Sequence, residues 1–449
     1  MNEYLLRLKL LVCYINFQSD DTYNREKNCC GCSACVQRCP KQCISLTEDE
    51  EGFLYPYVNE ESCVECGLCE KICPILNPQE ETFPLQVIAA KNTNTEERLG
   101  SSSGGLFLPL AKSIINEGGI VFGADYDSNW EVHHVGVENI SGLYALMMSK
   151  YLQSRIENTY KEAEKFLKCG RKVMFVGTPC QIAGLHGFLR HKVYPNLLTI
   201  DVVCHGAPSP GVWRQYLAET YSEEEFIKSR LKAAAGKNTV LYQSLNAKSP
   251  IGDIKFRDKT VSGWKKFRFV VRSKSASKAD KNSVLSSYIH YDNVYMKGFL
   301  SNLYLRPSCH DCKCKDGKHH SDISLGDFWG IDKFNPSFDD DKGVSLVLIN
   351  TPKGKEFLQK VKMEKWESSY ALVSRANGGF SPYTWLNPKR SLFFKLIWQG
   401  ATVRQAVAIC LHIPLYRRVI RKAKMLTKAA VKQVLDDAGV KAVKKALGK

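Results

Sequence analysis

The sequence predicts an α+β and α/β chain in which a small cysteine-bound module precedes a mixed α/β body and a basic helical tail. Three observations lead there. Ten of the 18 cysteines fall between residues 29 and 73. From residue 84, strand-like runs alternate with helix-like ones, the texture of a layered sheet-and-helix body. Residues 389–449 hold fifteen Lys and Arg against two acids.

At 449 residues the chain exceeds one compact core, and typical domain sizes divide it into two or three parts. Hydrophobic residues at 44% and charged residues at 24% describe a globular protein that needs no covalent staples. The cysteines therefore imply chemistry. The opening MNEYLLRLKLLVCYINF is interrupted by Arg7 and Lys9 and lacks a small-residue cleavage site, so it reads as a short helix or a ragged start and not a signal peptide. The expected location is the cytoplasm, where thiols stay reduced and clustered cysteines bind metal or do redox work.

The front module is expected over 22–80. Cys29, Cys32, Cys35 and Cys39 follow C-x2-C-x2-C-x3-C-P up to Pro40, and Cys63, Cys66, Cys69 and Cys73 repeat the spacing up to Pro74. Two-residue gaps let three thiolates of one tight turn cap a face of an iron-sulfur cubane, and the fourth, one turn later, reaches the other cluster. This predicts two 4Fe-4S clusters in a bacterial-ferredoxin-like module, one on Cys29, Cys32, Cys35 and Cys73, the other on Cys63, Cys66, Cys69 and Cys39. Structural zinc modules separate their CxxC pairs by longer spacers. Cys30 and Cys43 fall outside the spacing and read as packing. CISL and FLYPYV supply short strands, and CPILNPQEETFP is the linker that closes the module.

The first half of the body is expected over 84–220. LQVIAAKN, GIVFGADYD, RKVMFVGT and NLLTIDVVCH read as strands, and GGLFLPLAKSIINEG and RIENTYKEAEKFLKCG as helices closed by Gly118 and Gly170. The last two strands each lead into a helix through a proline-containing turn, which sets Cys180 and Cys204 at C-terminal strand ends, where open sheets hold ligands. The second half, 221–385, has IKFRDK and KKFRFVVRS as strands, SKSASKADKNS as an exposed loop, and VSLVLINTPKGKEFLQKV as strand then helix.

Cys180, Cys204, Cys309 and Cys312 come from three separate loops, and four thiolates converging from them would suit a third cluster. Two other readings stand beside it. Cys309, Cys312, Cys314, His319 and His320 have the spacing of a local zinc knuckle, and Cys180 and Cys204 alone suit core positions at strand ends.

SSSGGLF, SKYLQS, GTPCQIAGL, IDVVCHGAPSP, IKFRDK with a following GW, LRPSC and SDISLGDFWG occur in an order that resembles the coenzyme F(420) hydrogenase/dehydrogenase beta-subunit family from about residue 25 to about 375. The resemblance implies a flavoprotein with FAD, a 4Fe-4S cluster beside the flavin, and electron transfer among clusters, flavin and a deazaflavin or other acceptor. It matches Cys180, Cys204, Cys309 and Cys312 to the family's cysteine positions, which raises the third-cluster reading above the zinc knuckle. No GxGxxG follows a strand and no Walker A pattern is present, so FAD needs another seat. The serines and glycines of GSSSGGLF, Ser102, Ser103, Gly104 and Gly105, open a helix with bare backbone N–H groups that suit a pyrophosphate, against simple N-capping by Ser103. Lys150 and Tyr151 offer a charge and a ring for the cofactor, or a solvated helix face. His205 beside Cys204 is the candidate proton donor, with a hydrogen bond to backbone as the bland alternative. Asp327 is a flavin contact or a turn cap, and Arg257 and Lys259 face an anionic substrate or carry strand charge.

The tail, 386–449, carries most of the net charge of +17, so the basic balance gives no reason to expect nucleic acid. YRRVIRKAKMLTKAAVKQVL sets apolar residues opposite lysines, which suits an anionic membrane face, an acidic partner, or a disordered charged tail. The expected function is an iron-sulfur flavoprotein oxidoreductase that passes electrons from ferredoxin or another redox protein to FAD and a deazaflavin or organic acceptor. The alternative is a non-catalytic electron-transfer subunit of a larger redox complex. The expected place is cytoplasmic, with peripheral contact at the inner membrane face through the tail.

Overall fold

Cysteine spacing and a short hairpin shape the front of the chain. In this computed structural model, which describes residues 28–221, 251–273 and 284–412, the antiparallel strands β1 (Ile44–Glu48) and β2 (Leu54–Val58) separate two short helices, Ala34–Arg38 and Leu68–Lys71. The helix expected in residues 1–17, the loop SKSASKADKNS beyond Ser273 and the amphipathic tail helix lie outside the described residues.

Alternation with a period of two builds the central sheet. In β4 (Ile120–Tyr126), Ile120 and Phe122 enter the core under the Thr159–Lys168 and Pro179–Phe188 helices, while Val121 enters the opposite core under Phe107–Asn116. Val173 and Phe175 of β6 (Val173–Gly177) alternate with Met174 in the same sense. The remaining strands of this sheet are β3 (Gln86–Asn92), β5 (Val132–Val137), β7 (Leu197–Val202), β11 (Ile323–Asp327), β12 (Ser345–Ile349) and β13 (Met363–Ser368), in the order β13-β3-β12-β11-β7-β6-β4-β5. β4, β6, β7 and β11 run parallel, and antiparallel pairs flank them. The sheet is therefore mixed, and it takes strands from both sides of the boundary expected near residue 221. Cross-strand pairing, which no local pattern encodes, joins β3 to β12.

A second sheet, β8 (Ile251–Asp258), β9 (Arg268–Ser273) and β10 (Val284–Ile289), packs its aromatic face on the Pro210–Tyr221 and Val294–Leu300 helices. Residues 390–398 and 403–410, expected to begin the tail, are helices of this same core: Phe393, Phe394, Ile397, Val403 and Val407 are buried in it. Their apolar face at helical spacing is interleaved with basic residues.

The front module is seated in the body, not tethered by its linker. The Arg390 guanidinium pairs with Glu51 at the β1–β2 turn, with Nη1 donating to Oε1 at 2.7 Å. Arg214 pairs with Glu48, Ser209 donates to the Glu51 carbonyl, and Trp398 Nε1 donates to the Glu50 carbonyl at 3.0 Å. On the opposite side the Pro179–Phe188 helix lies so close that a Cβ on Gly184 would stand 2.7 Å from Cys32 Cβ. Among the described residues, no helix is long and apolar enough to cross a membrane.

Candidate functional site

Each front motif turns its backbone through two left-handed residues around its second cysteine. Gly31 and Ser33 flank Cys32 with φ of 72° and 60°, and Glu65 and Gly67 flank Cys66 with 49° and 65°. The repeat of conformation follows the repeat of spacing. Such turns point successive N–H groups inward, and Gly31 N donates to Cys29 Sγ at 3.4 Å. Cys35 is pushed up to about 12, first by burial and then by the charges of Cys29 and Cys73. Burial pushes Cys73 up to about 11, with Cys30 and Cys29 adding to it. Cys73 thus stands with the first motif, across from its own. Cys39 Sγ lies 3.4 Å from Cys43 Sγ, and Cys43 is pushed up to about 11 by that hydrogen bond, with Cys63 also acting on it. Sulfurs that penalise one another's charge in this way ionise together only around a cationic centre, which is what an all-thiolate iron-sulfur site supplies.

The body brings its four candidate cysteines together from three segments. Thr178 and Gln181 form a capping box at the start of the Pro179–Phe188 helix, which fixes Cys180 in its first turn, and Thr178 Oγ1 lies 3.2 Å from Cys180 Sγ. Cys204 follows β7. Ala207 N donates to Cys309 Sγ at 3.3 Å, which ties the Cys204 loop to the Pro307–Asp311 turn. Burial raises Cys204 to about 12, with Cys180 and Cys312 adding and the Lys315 charge opposing. Cys309 is raised by burial and by Cys204 and Cys312. Cys312 is pulled down to about 6, first by a hydrogen bond with Cys314, with backbone N–H groups and Lys315 assisting against burial.

Two thiols outside the expected ligand sets, Cys30 and Cys314, stand beside this group. Cys30 is hydrogen-bonded to both Cys180 and Cys314, so a residue read as packing joins the front module to the body's cysteines. Its signal was its adjacency to Cys29 in an otherwise regular motif. The local zinc knuckle is not assembled. His319 Nδ1 accepts from Ser321 N at 3.1 Å, and His320 Nε2 lies 2.9 Å from the Glu80 carbonyl. Among the described residues, no three Cys, His, Asp or Glu side chains converge on a single ion. A cubane spreads its thiolates more widely than one zinc does.

The Ser102–Gly105 loop is held between β3, β12 and the SKYLQS segment. Ser102 Oγ accepts from Ser149 N at 2.7 Å, Ser103 Oγ donates to the Val344 carbonyl at 2.9 Å, and Gly104 N donates to Ser345 Oγ at 3.0 Å. Ser103 therefore does not cap the Phe107–Asn116 helix, whose N-cap is Leu106. Lys150 lies beside the loop, with Nζ donating to the Ala145 and Met147 carbonyls at 2.9 and 3.1 Å, and burial pulls it down to about 8. Tyr151 packs against Phe256 and Phe299 and hydrogen-bonds to Arg257.

Arg257 and Lys259, on or just beyond β8, point into this region instead of lying on a strand surface. Both are 3% exposed. Arg257 clamps Asp327 with both guanidinium nitrogens, and Trp264 Nε1 donates to Asp327 Oδ1 at 2.9 Å. Lys259 Nζ donates to the Ser103 carbonyl at 2.5 Å and is pulled down to about 7 by burial, with Arg257 and Arg98 adding. Arg98, unremarked in the sequence, pairs with Asp340 at 2.5 Å. Asp327 and Asp340 balance the two guanidinium charges, and Lys259 is the basic group that reaches the serine-glycine loop.

His205 is engaged. Its Nε2 lies 2.7 Å from Asn302 Oδ1, its ring meets Phe299 edge-on at 5.1 Å, and burial lowers its pKa. A neutral imidazole that donates from Nε2 leaves Nδ1 as an acceptor.

Residues 170–369 match the family model for the C-terminal region of the coenzyme F420 hydrogenase/dehydrogenase beta subunit, and residues 28–76 match that of the 4Fe-4S dicluster domain. The chain is 26% identical over 187 residues to one of the subunits of the F(420)H(2) dehydrogenase of Methanosarcina mazei, covering 39% of this chain and 53% of that one. It is 24% identical over 348 residues to the coenzyme F420-dependent sulfite reductase of Methanocaldococcus jannaschii, covering 75% of this chain and 46% of that one. The chain spans about half the length of these two relatives. A chain of the xenon-derivatised F420-reducing nickel-iron hydrogenase complex from Methanosarcina barkeri overlays with a TM-score of 0.40 at 16% identity, covering 73% of this chain and 91% of that one.

Proposed function

With residues 170–369 belonging to the coenzyme F420 hydrogenase/dehydrogenase beta-subunit family and residues 28–76 to the 4Fe-4S dicluster domains, we propose that this chain is an iron-sulfur flavoprotein oxidoreductase. Cys29, Cys32, Cys35 and Cys73 hold one 4Fe-4S cluster, Cys63, Cys66, Cys69 and Cys39 a second, and Cys180, Cys204, Cys309 and Cys312 a third. Ser102, Ser103, Gly104, Gly105, Lys150 and Tyr151 seat FAD. Such clusters supply one-electron transfer, and a flavin supplies the two-electron exchange that a deazaflavin or other organic acceptor requires.

The chain's own residues do the rest. Lys259 meets phosphate charge at the loop, and Arg257, held by Asp327, walls the site beside Tyr151. Lys315, 4% exposed beside Cys204 and Cys312, offsets thiolate charge. His205 is the candidate proton carrier, and Asn302 sets its orientation. The observation that supports the reading most is the mutual electrostatic influence of Cys180, Cys204, Cys309 and Cys312, four thiols brought from separate parts of the chain.

The test is anaerobic purification followed by iron, sulfide and flavin analysis, then reduction by ferredoxin and re-oxidation by a deazaflavin. A protein with flavin absorbance and about twelve irons, three cubanes of four, supports the proposal; zinc without sulfide overturns it. A second reading is favoured by the name of one relative, which is part of a dehydrogenase with more than one subunit. In that reading the chain hands electrons to a larger redox complex and has no substrate of its own. Stable co-purification with other proteins of such a complex and no turnover by the isolated chain would decide for it.

A further inference from the structure

A cavity of about 320 Å³ opens where the Cys73–Pro74 turn of the front module meets the end of the Pro179–Phe188 helix and the Lys318–His320 loop. Lys71, His186, His191, Lys318, His320 and Lys353 line it, and no carboxylate does. Concave walls of one charge sign concentrate the opposite sign far more than a flat basic face does. The walls are held in shape. Thr82 Oγ1 donates to the Gly317 carbonyl at 2.9 Å, the Glu80 carbonyl holds His320 at 2.9 Å, and Asp322 anchors Lys353 at 3.1 Å. Gly317 and His320 take left-handed φ of 73° and 53° to make the turn. The His186 ring lines the cavity, with its Nε2 buried behind the wall.

We propose that this cavity binds a phosphate-bearing small molecule, at a site separate from the Ser102–Gly105 loop and in contact with the Cys73 turn. A phosphate brings up to two charges and three acceptor oxygens, which suits several Lys and His donors converging on one space. The volume is that of a small-molecule pocket, and its lysines line the inside instead of spreading over a docking face, while burial holds His186 and His191 as neutral donors or acceptors.

The experiment is calorimetric titration of the anaerobic holoprotein with inorganic pyrophosphate. The expected result is one saturable site, weakened roughly tenfold or more by Lys318→Gln with His191→Gln and unchanged by Lys150→Gln. Both substituted residues share the cavity wall with Cys73 without being cluster ligands, so iron content is measured alongside and should stay at the wild-type value. In the wild-type protein, pyrophosphate should also protect Lys318 from acylation, read by mass spectrometry, which keeps the test valid if the double variant folds poorly. Absence of binding, loss of binding through Lys150→Gln alone, or protection of Lys318 by ferredoxin and not by pyrophosphate would each overturn the proposal. The Lys150→Gln arm rests on the proposed flavin seat, whereas protection of Lys318 by pyrophosphate is read independently of the cluster and flavin assignments.

Discussion

Arg306 donates from Nε to the Cys29 carbonyl at 2.7 Å, and this bond joins the first cysteine motif to the segment that carries Cys309. Its Nη1 reaches Gln153 Oε1 at 3.0 Å, its Nη2 reaches the Leu54 carbonyl at 2.9 Å, and its guanidinium lies 4.1 Å from the centre of the Tyr55 ring. Lysine cannot reproduce a planar fork with three acceptors. Arg306→Lys should therefore cost about 3 kcal/mol or more in anaerobic urea unfolding. It should also loosen iron from the Cys29 set. Wild-type stability and iron content together would refute this role.

The cysteine sets predict a graded response. Cys309→Ser should remove about four of about twelve irons, while Cys30→Ser should leave the total unchanged. Iron and sulfide analysis with electron paramagnetic resonance of the reduced protein reads both. A loss in Cys30→Ser equal to that in Cys309→Ser would make Cys30 a ligand.

Gly184→Ala tests the fit between helix and module without touching a thiol. Alanine favours a helix over glycine by about 1 kcal/mol, so any damage comes from the neighbour. The new Cβ would lie 2.7 Å from Cys32 Cβ and 3.0 Å from its Sγ. The expected outcome is loss of the Cys29-set cluster, seen as about four missing irons in an otherwise folded protein.

Lys259, pulled down to about 7 by burial and the Arg257 and Arg98 charges, predicts a proton linkage. At pH 8 the empty loop holds this amine mostly neutral. An arriving pyrophosphate favours the ammonium form, so FAD binding to flavin-depleted protein should take up close to one proton at pH 8 and almost none at pH 6. Titration calorimetry in buffers of different ionisation enthalpy measures the uptake, and Lys259→Met should abolish it. Binding without proton uptake at pH 8 would remove Lys259 from the flavin seat.

His134 sets an acid limit. Burial pulls it down to about 4, and its ring sits between Ser154 Oγ at 2.6 Å and the Val176 carbonyl at 3.0 Å. With the folded value below the usual 6.5, the unfolded chain binds the extra proton between these limits. The contribution, roughly 3 kcal/mol, is therefore complete above pH 6.5 and is lost as the pH falls toward 4. His134→Gln should be less stable at pH 7 and show a flatter acid limb in denaturant titrations.

Local chemistry was legible and assembly was not. The two cysteine motifs, the β6 turn into Pro179 and the placement of Cys180 and Cys204 at strand ends could be read because spacing and alternation encode them within a few residues. The mixed sheet could not, because β3 finds β12 across more than half the chain through pairing that is degenerate in sequence. The proximity of Cys30 and Cys314 to Cys180 was out of reach for the same reason: each has an ordinary local setting, and only the fold brings them to Cys180. The helices at 390–410 were expected as part of a helical tail, but fifteen basic residues over 389–449 masked the burial of Phe393, Phe394 and Ile397 on one stripe.

The Glu51–Arg390 pair has a consequence for biosynthesis. Its partners are 339 residues apart in the chain, and the Glu51 carboxyl, raised by burial with Arg390 opposing, has no other guanidinium bound to it among the described residues. The cysteine motifs therefore emerge from the ribosome well before the group that locks their hairpin in place. At translation rates of about 5–20 residues per second, that interval is on the order of half a minute. During it the thiols are available to whatever delivers iron and sulfide, and the latch closes over a module that has already had time to be loaded.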